Sequence, residues 1–206
     1  MKLSKIAAII KREKRIVTVH VAGVQWIGTG SCFYPISDMP DLDKNALFTM
    51  FDIPTGKRED FSVTEDPSLP GIVFDDLAEV RECLVQRAGT EMFLGGRVLS
   101  ILSTTQGIEF INSRYLVPFT DQENGFELYE RYDERGRIYF AVKTGFLTIG
   151  IIWPVKVDLD DFKKALKTWI SLCELKQINE RDRQIQEMRQ MGLFAPEEGD
   201  GNDEED

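Results

Sequence analysis

The 206-residue chain offers few side chains with the types and spacing that catalysis needs. Its single histidine, His20, excludes any mechanism built on a histidine pair, and no Ser or Cys lies in a nucleophile motif. Cys32, Cys83 and Cys173 are far apart, so neither a disulfide framework nor a zinc site is expected. Asp41, Asp43, Asn45 and Asp52 imitate the ligand spacing of a calcium loop, but Ala46 stands where the sharp turn needs glycine. The glycine clusters Gly28-Thr29-Gly30 and Gly95-Gly96 do not open helices as a phosphate cradle does, and read as bulges or turns. Glu127, Glu130, Asp133 and Glu134 are strand-borne acids of the kind that usually makes a solvated sheet face; spacing nominates no acid pair for catalysis. These readings predict no enzyme, no cofactor and no metal. One feature points to binding: Leu193 and Phe194, two large apolar residues, immediately precede a run of acids.

Charge is distributed unevenly. The net charge is -10, yet the first fifteen residues carry six Lys and Arg against Glu13. The last twelve carry seven acids, so residues 195–206 are expected to be a disordered, solvated tail. Between them the body holds a net -8, which excludes general polyanion binding and confines any nucleic-acid contact to a local basic face. The apolar stretch Ile6 to Ile10 runs directly into Lys11-Arg12, and the run Gly145 to Val155 contains Pro154 and is well short of a membrane span. A soluble, cytoplasmic protein without membrane contact is the expectation.

The elements that would position these groups follow from periodicity. Leu3 to Lys14 reads as an amphipathic helix with Ile6, Ile9 and Ile10 on its apolar face. Strands are expected at Ile16–Val21, Val24–Ile27, Ser31–Ile36, Ala46–Phe51 and Phe61–Val63, with Ala22-Gly23 as a hairpin turn. In the first strand His20 alternates with Val17, Val19 and Val21, placing it on the opposite face in a structural or solvated role. Asp75 or Asp76 could cap a helix from Leu77 to about Ala88, stopped by Gly89. Beyond it lie strand-like runs at Arg97–Leu102, Ile108–Ile111 and Tyr115–Phe119. A hairpin follows at Phe126–Tyr132 and Arg137–Thr144, then a strand from Phe146. A last helix opens at Asp158 or Asp160, its apolar face including Trp169 and Cys173 and packing on the sheet. The predicted class is α+β: two strand-rich, mostly antiparallel halves, each led by a helix. The expected divisions are 1–66, 67–175, a helical extension at 176–194, and the acidic tail 195–206.

Two resemblances bear on function. Gln190-Met191-Gly192-Leu193-Phe194 resembles the bacterial sliding-clamp-binding pentapeptide, in which Gln, an aliphatic residue, a small or polar residue, Leu and Phe follow one another. Gln190, Leu193 and Phe194 match that pattern, and Met191 departs from it. Such a peptide buries Leu and Phe in a preformed pocket while Gln hydrogen-bonds at the rim. The body is similar, in element order, to a half-domain of the sliding clamps: a basic helix followed by the hairpin from Val17 to Gly30, an order that the segment from Leu77 to Phe119 would repeat. The resemblance implies that Lys2, Lys5, Lys11, Arg12, Lys163, Lys164 and Lys167 contact DNA backbone without reading bases. It also implies a homo-oligomer, because one chain is too short to close a ring. The function expected is a non-catalytic accessory protein of DNA replication or repair, carried by a mobile element, with a sliding clamp as partner of its tail. The alternative is a protein-interaction module unrelated to DNA; an enzyme of unidentified class ranks third.

Overall fold

The computed structural model describes residues 3–37, 39–76, 80–122 and 125–190. The chain divides into two compact units, residues 1–156 and residues 157–206.

In the first unit, helix α1 (Leu3–Glu13) buries Ile6, Ile9 and Ile10, the spacing that puts three branched side chains on one face. It ends where Lys14 turns into the left-handed region (φ 50°) and its N–H closes on the Ile10 carbonyl at 2.8 Å. Strands β1 (Arg15–Val21) and β2 (Val24–Gly28) form a hairpin across Ala22-Gly23, both at positive φ, as a tight two-residue turn demands. Strand β3 (Cys32–Ile36) pairs with β2, and Gly28 is obligatory there: a Cβ would lie 1.7 Å from the Cys32 carbonyl oxygen.

The expected strand at Ala46–Phe51 is instead helix α2 (Lys44–Met50). Asp43 accepts the Ala46 N–H at 2.7 Å, and Gln25 fixes the approach by bonding both the N–H and the carbonyl of Leu42. With that cap in place Leu47, Phe48 and Phe51 share one buried face. The same bond removes Asp43 from any calcium loop, and Asp41 lies beside His20. A 3-10 turn at Thr55–Asp60 leads to β4 (Ser62–Glu65), which pairs parallel with β1.

The predicted helix at Leu77–Ala88 is also corrected over its described part, which carries β5 (Cys83–Leu84) and the start of β6 (Gln86–Leu94). Here tertiary contacts override helix propensity. Glu82 is drawn to Arg131 and Lys143, and the Val85 N–H donates to the Leu128 carbonyl, so the chain is held extended. The second half is therefore not led by a helix in its described residues. Strands β7 (Arg97–Thr104) and β8 (Gly107–Asn112) follow. Tyr115–Phe119, expected as a strand, forms a 3-10 turn at Ser113–Phe119, where Asn112 accepts the Arg114 N–H and Tyr115, Leu116 and Phe119 turn to the core. Strands β9 (Glu127–Tyr132), β10 (Ile138–Thr144) and β11 (Leu147–Ile152) complete the unit.

One eight-stranded sheet runs β4-β1-β2-β3-β11-β10-β9-β5, and a three-stranded sheet runs β6-β7-β8. The large sheet thus takes strands from both sides of residue 66. On one face α1, α2 and the Ser113–Phe119 turn cover Tyr34, Ile27 and Phe140. The other face packs Val17, Val19, Trp26, Phe33 and Tyr139 beneath the crossing segment that carries Leu69, Ile72 and Phe74. Coverage of both faces explains why β10 is apolar along most of its length.

The second unit contains helix α3 (Leu159–Gln190), opened by the Phe162 N–H closing on the Asp158 carbonyl. The side chains of Trp169 and Cys173 lie outside the described residues. Among the described residues no helix is long and apolar enough to cross a membrane.

Candidate functional site

The basic end of α1 meets the 3-10 turn at Thr55–Asp60. Lys11 and Lys14 from the helix and Lys57 from the turn line an open cavity of about 450 Å3, whose remaining walls include Asp52, Ile53, Pro54 and Phe61. The loop between them is shaped by Asp52, at φ 49°, and by the Ile53 N–H bonding back to the Phe48 carbonyl. Lys14 Nζ donates to Asp60 at 2.9 Å, and this bond holds the Asp60 carboxyl below its ordinary range. Lys11 Nζ stands 3.7 Å from the Asp52 carboxylate, which is almost fully exposed. Such exposed pairs contribute little and are readily exchanged for another anion. Lys57 and Arg12 are exposed. Arg58 lies over the Phe48 ring at 5.3 Å while its Nε donates to the Ile53 carbonyl, so its charge is anchored beside the cavity.

Of the residues expected to touch DNA, Lys11 lines this cavity; Arg12 is exposed on the last turn of α1 but is not among the lining residues. Lys5 does not join them, because its Nζ donates to Asp121 at 2.7 Å and to Thr120 at 3.0 Å. Lys163, Lys164 and Lys167 are exposed on α3 in the other unit. Lys2, Met191, Leu193 and Phe194 lie outside the described residues, as does the side chain of Gln190, the last residue of α3. Lys14 and Lys57 were missed. The signal for Lys57 was the turn Pro54-Thr55-Gly56-Lys57-Arg58, whose basic pair acquires meaning only once β4 returns beside β1; Lys14 stood in the basic run Lys11-Arg12-Glu13-Lys14-Arg15.

The other polar clusters are satisfied internally. Arg131, 1% exposed, donates to Glu82, Asp76 and the Val73 carbonyl, and Lys143 bonds the same two carboxylates. Glu130 accepts from the Thr105 N–H and hydroxyl, fastening the β7–β8 turn to β9. Tyr115 donates to Glu13 at 2.7 Å and Tyr34 to the Tyr115 carbonyl at 3.0 Å. Burial pushes the neighbouring Cys32 thiol up to about 12, which removes it as a nucleophile at neutral pH. His20 is exposed, with Nδ1 2.9 Å from Asp66. That contact holds the Asp66 carboxyl below its ordinary range and ties β1 to the end of β4. Among the described residues no group of His, Cys, Asp and Glu could hold a metal ion.

Comparison with family models, curated proteins and solved structures finds no match. The case for function therefore rests on the geometry above. What this arrangement can do is accept an anion at a surface where three lysines converge on a body that is otherwise strongly acidic.

Proposed function

We propose that the protein is a non-catalytic, cytoplasmic accessory factor of DNA replication or repair that touches the duplex backbone through the Lys11, Lys14 and Lys57 cavity. The carrying observation is the convergence of these three lysines, from two separate elements, in a chain of net charge -10. Lysine side chains on flexible stems suit phosphate oxygens without base readout, in keeping with a sequence-independent contact. The order of α1, β1, β2 and β3 supports likeness to the first half of a clamp half-domain; the tail Gln190–Phe194 is the proposed contact for a sliding clamp. Partners implied are thus duplex DNA and a clamp.

Three phosphate contacts give a logarithmic salt slope of about -3, since each released counterion contributes roughly 0.9. Fluorescence anisotropy with a labelled duplex should show weak binding that fades with that slope. Lys11→Glu combined with Lys57→Glu should abolish it at unchanged melting temperature, because both side chains are exposed. Binding that ignores salt, or survives the double substitution, refutes the assignment. A second reading, a protein-interaction module unrelated to DNA, is favoured by the exposed apolar residues Phe146 and Leu147; no duplex binding at low salt would select it.

A further inference from the structure

Strand β6 is interrupted by a bulge. Arg87 pairs with Leu102 and Glu91 with Ser100, so four residues along β6 face two along β7, and Gly89 lies in the excess at φ 68°. An unbroken strand would hold Arg87 and Glu91 about 13 Å apart, whereas partners two residues apart bring them to roughly 7 Å on one face. Both line an open cavity of about 410 Å3, which Ser113 and Arg114 of the 3-10 turn share and which Val98, Leu116 and Phe126 wall on its apolar side. Arg87 is fixed by its guanidinium lying over the Phe126 ring at 5.6 Å, and Arg114 is half-buried. Among the described residues neither guanidinium makes an ion pair or a side-chain hydrogen bond, in a chain where 35 acids outnumber 25 Lys and Arg. Glu91, the third charged group in the lining, accepts from the Ser100 hydroxyl at 3.4 Å, which in turn lies 2.8 Å from the Ser113 hydroxyl.

We propose that this cavity binds a small monocarboxylate with an apolar body, its carboxylate held by Arg87 and Arg114 and its body against the Val98, Leu116 and Phe126 wall. A guanidinium without a protein partner offers a planar fork of N–H donors that fits the two oxygens of a carboxylate or of a phosphate. The charge of the lining chooses between them. Two arginines and one glutamate sum to +1, which a monocarboxylate neutralises and a phosphate dianion exceeds, with Glu91 repelling the surplus. The apolar wall favours a ligand with a hydrocarbon part over a bare inorganic anion, and the volume lies within the range of small-molecule sites. None of Lys11, Lys14 and Lys57 lines this cavity, so the site stands or falls apart from the proposed duplex contact.

Isothermal titration calorimetry of the full chain at neutral pH and low salt should give a Kd of roughly 0.1–1 mM for 3-phenylpropionate, one carboxylate on an aromatic body. 3-Phenylpropanol, which keeps the body and lacks the charge, should bind at least about tenfold more weakly, as should acetate, which keeps the charge and lacks the body. Phenyl phosphate should also bind more weakly than the carboxylate, and Glu91→Gln should narrow that difference. Arg87→Gln and Arg114→Gln should each weaken 3-phenylpropionate about tenfold at unchanged melting temperature, since neither guanidinium is paired within the described protein. Arg97→Gln, exposed on the same small sheet but outside the cavity, should leave the affinity as it is. No binding of 3-phenylpropionate up to about 10 mM, equal binding of the alcohol, or wild-type affinity in either arginine variant overturns the proposal. Tighter binding of phenyl phosphate than of the carboxylate overturns the choice of ligand.

Discussion

Replacing Arg131 by methionine tests how the segment crossing the second face of the sheet is held. The guanidinium is 1% exposed and donates Nε to Glu82 at 2.8 Å, Nη2 to Asp76 at 2.8 Å and Nη1 to the Val73 carbonyl at 3.1 Å. Methionine fills similar space but removes one cation from a balanced set of two cations and two carboxylates, leaving Lys143 to face both acids. Breaking a buried pair in this way costs about 3–5 kcal/mol, and the lower end applies because the carboxylates keep 25% and 22% of their side-chain exposure. For a chain of this size about 3 kcal/mol lowers the melting midpoint by roughly 6–12 °C. Burial alone would raise both carboxyls; bonds from Lys143 and Arg131, with Thr148 also on Asp76, hold them below their ordinary range. Depressed carboxyls stabilise above their unfolded values and lose that contribution as pH falls through the folded ones. The gap between wild type and Arg131→Met, measured by urea unfolding, should accordingly narrow from pH 7 towards about pH 3. The double variant Arg131→Met with Glu82→Met restores one cation to one anion and should be no less stable than Arg131→Met alone. A single-variant cost below about 1 kcal/mol, or simple additivity in the double, would refute the balanced-cluster argument.

Gly150→Ala should cost about 1–3 kcal/mol by denaturant melt, because its Cβ would sit 2.2 Å from the Phe119 ring and that ring must move within a packed core. Asp43→Ala should destabilise by about 0.5–2 kcal/mol through loss of the α2 cap, with Asp43→Asn retaining most of the stability. Alkylation followed by peptide mapping should label exposed Cys83 in the native protein at neutral pH and reach Cys32 only after unfolding; rapid native labelling of Cys32 contradicts its burial and raised pKa.

Much of the sheet was legible because local chemistry and tertiary structure agree there. Ala22-Gly23 and Asp133–Gly136 are turn sequences between alternating runs, and both hairpins form where they were expected. Three segments read wrongly for one reason. Ala46–Phe51, the described part of Leu77–Ala88 and Tyr115–Phe119 are short segments whose period is ambiguous, and remote or flanking bonds decided them: Asp43 and Gln25, Glu82 with Arg131, and Asn112. Charge counting found the basic α1 but not its other wall, since Lys57 reaches Lys14 through the parallel pairing of β4 with β1, a contact that no local pattern encodes.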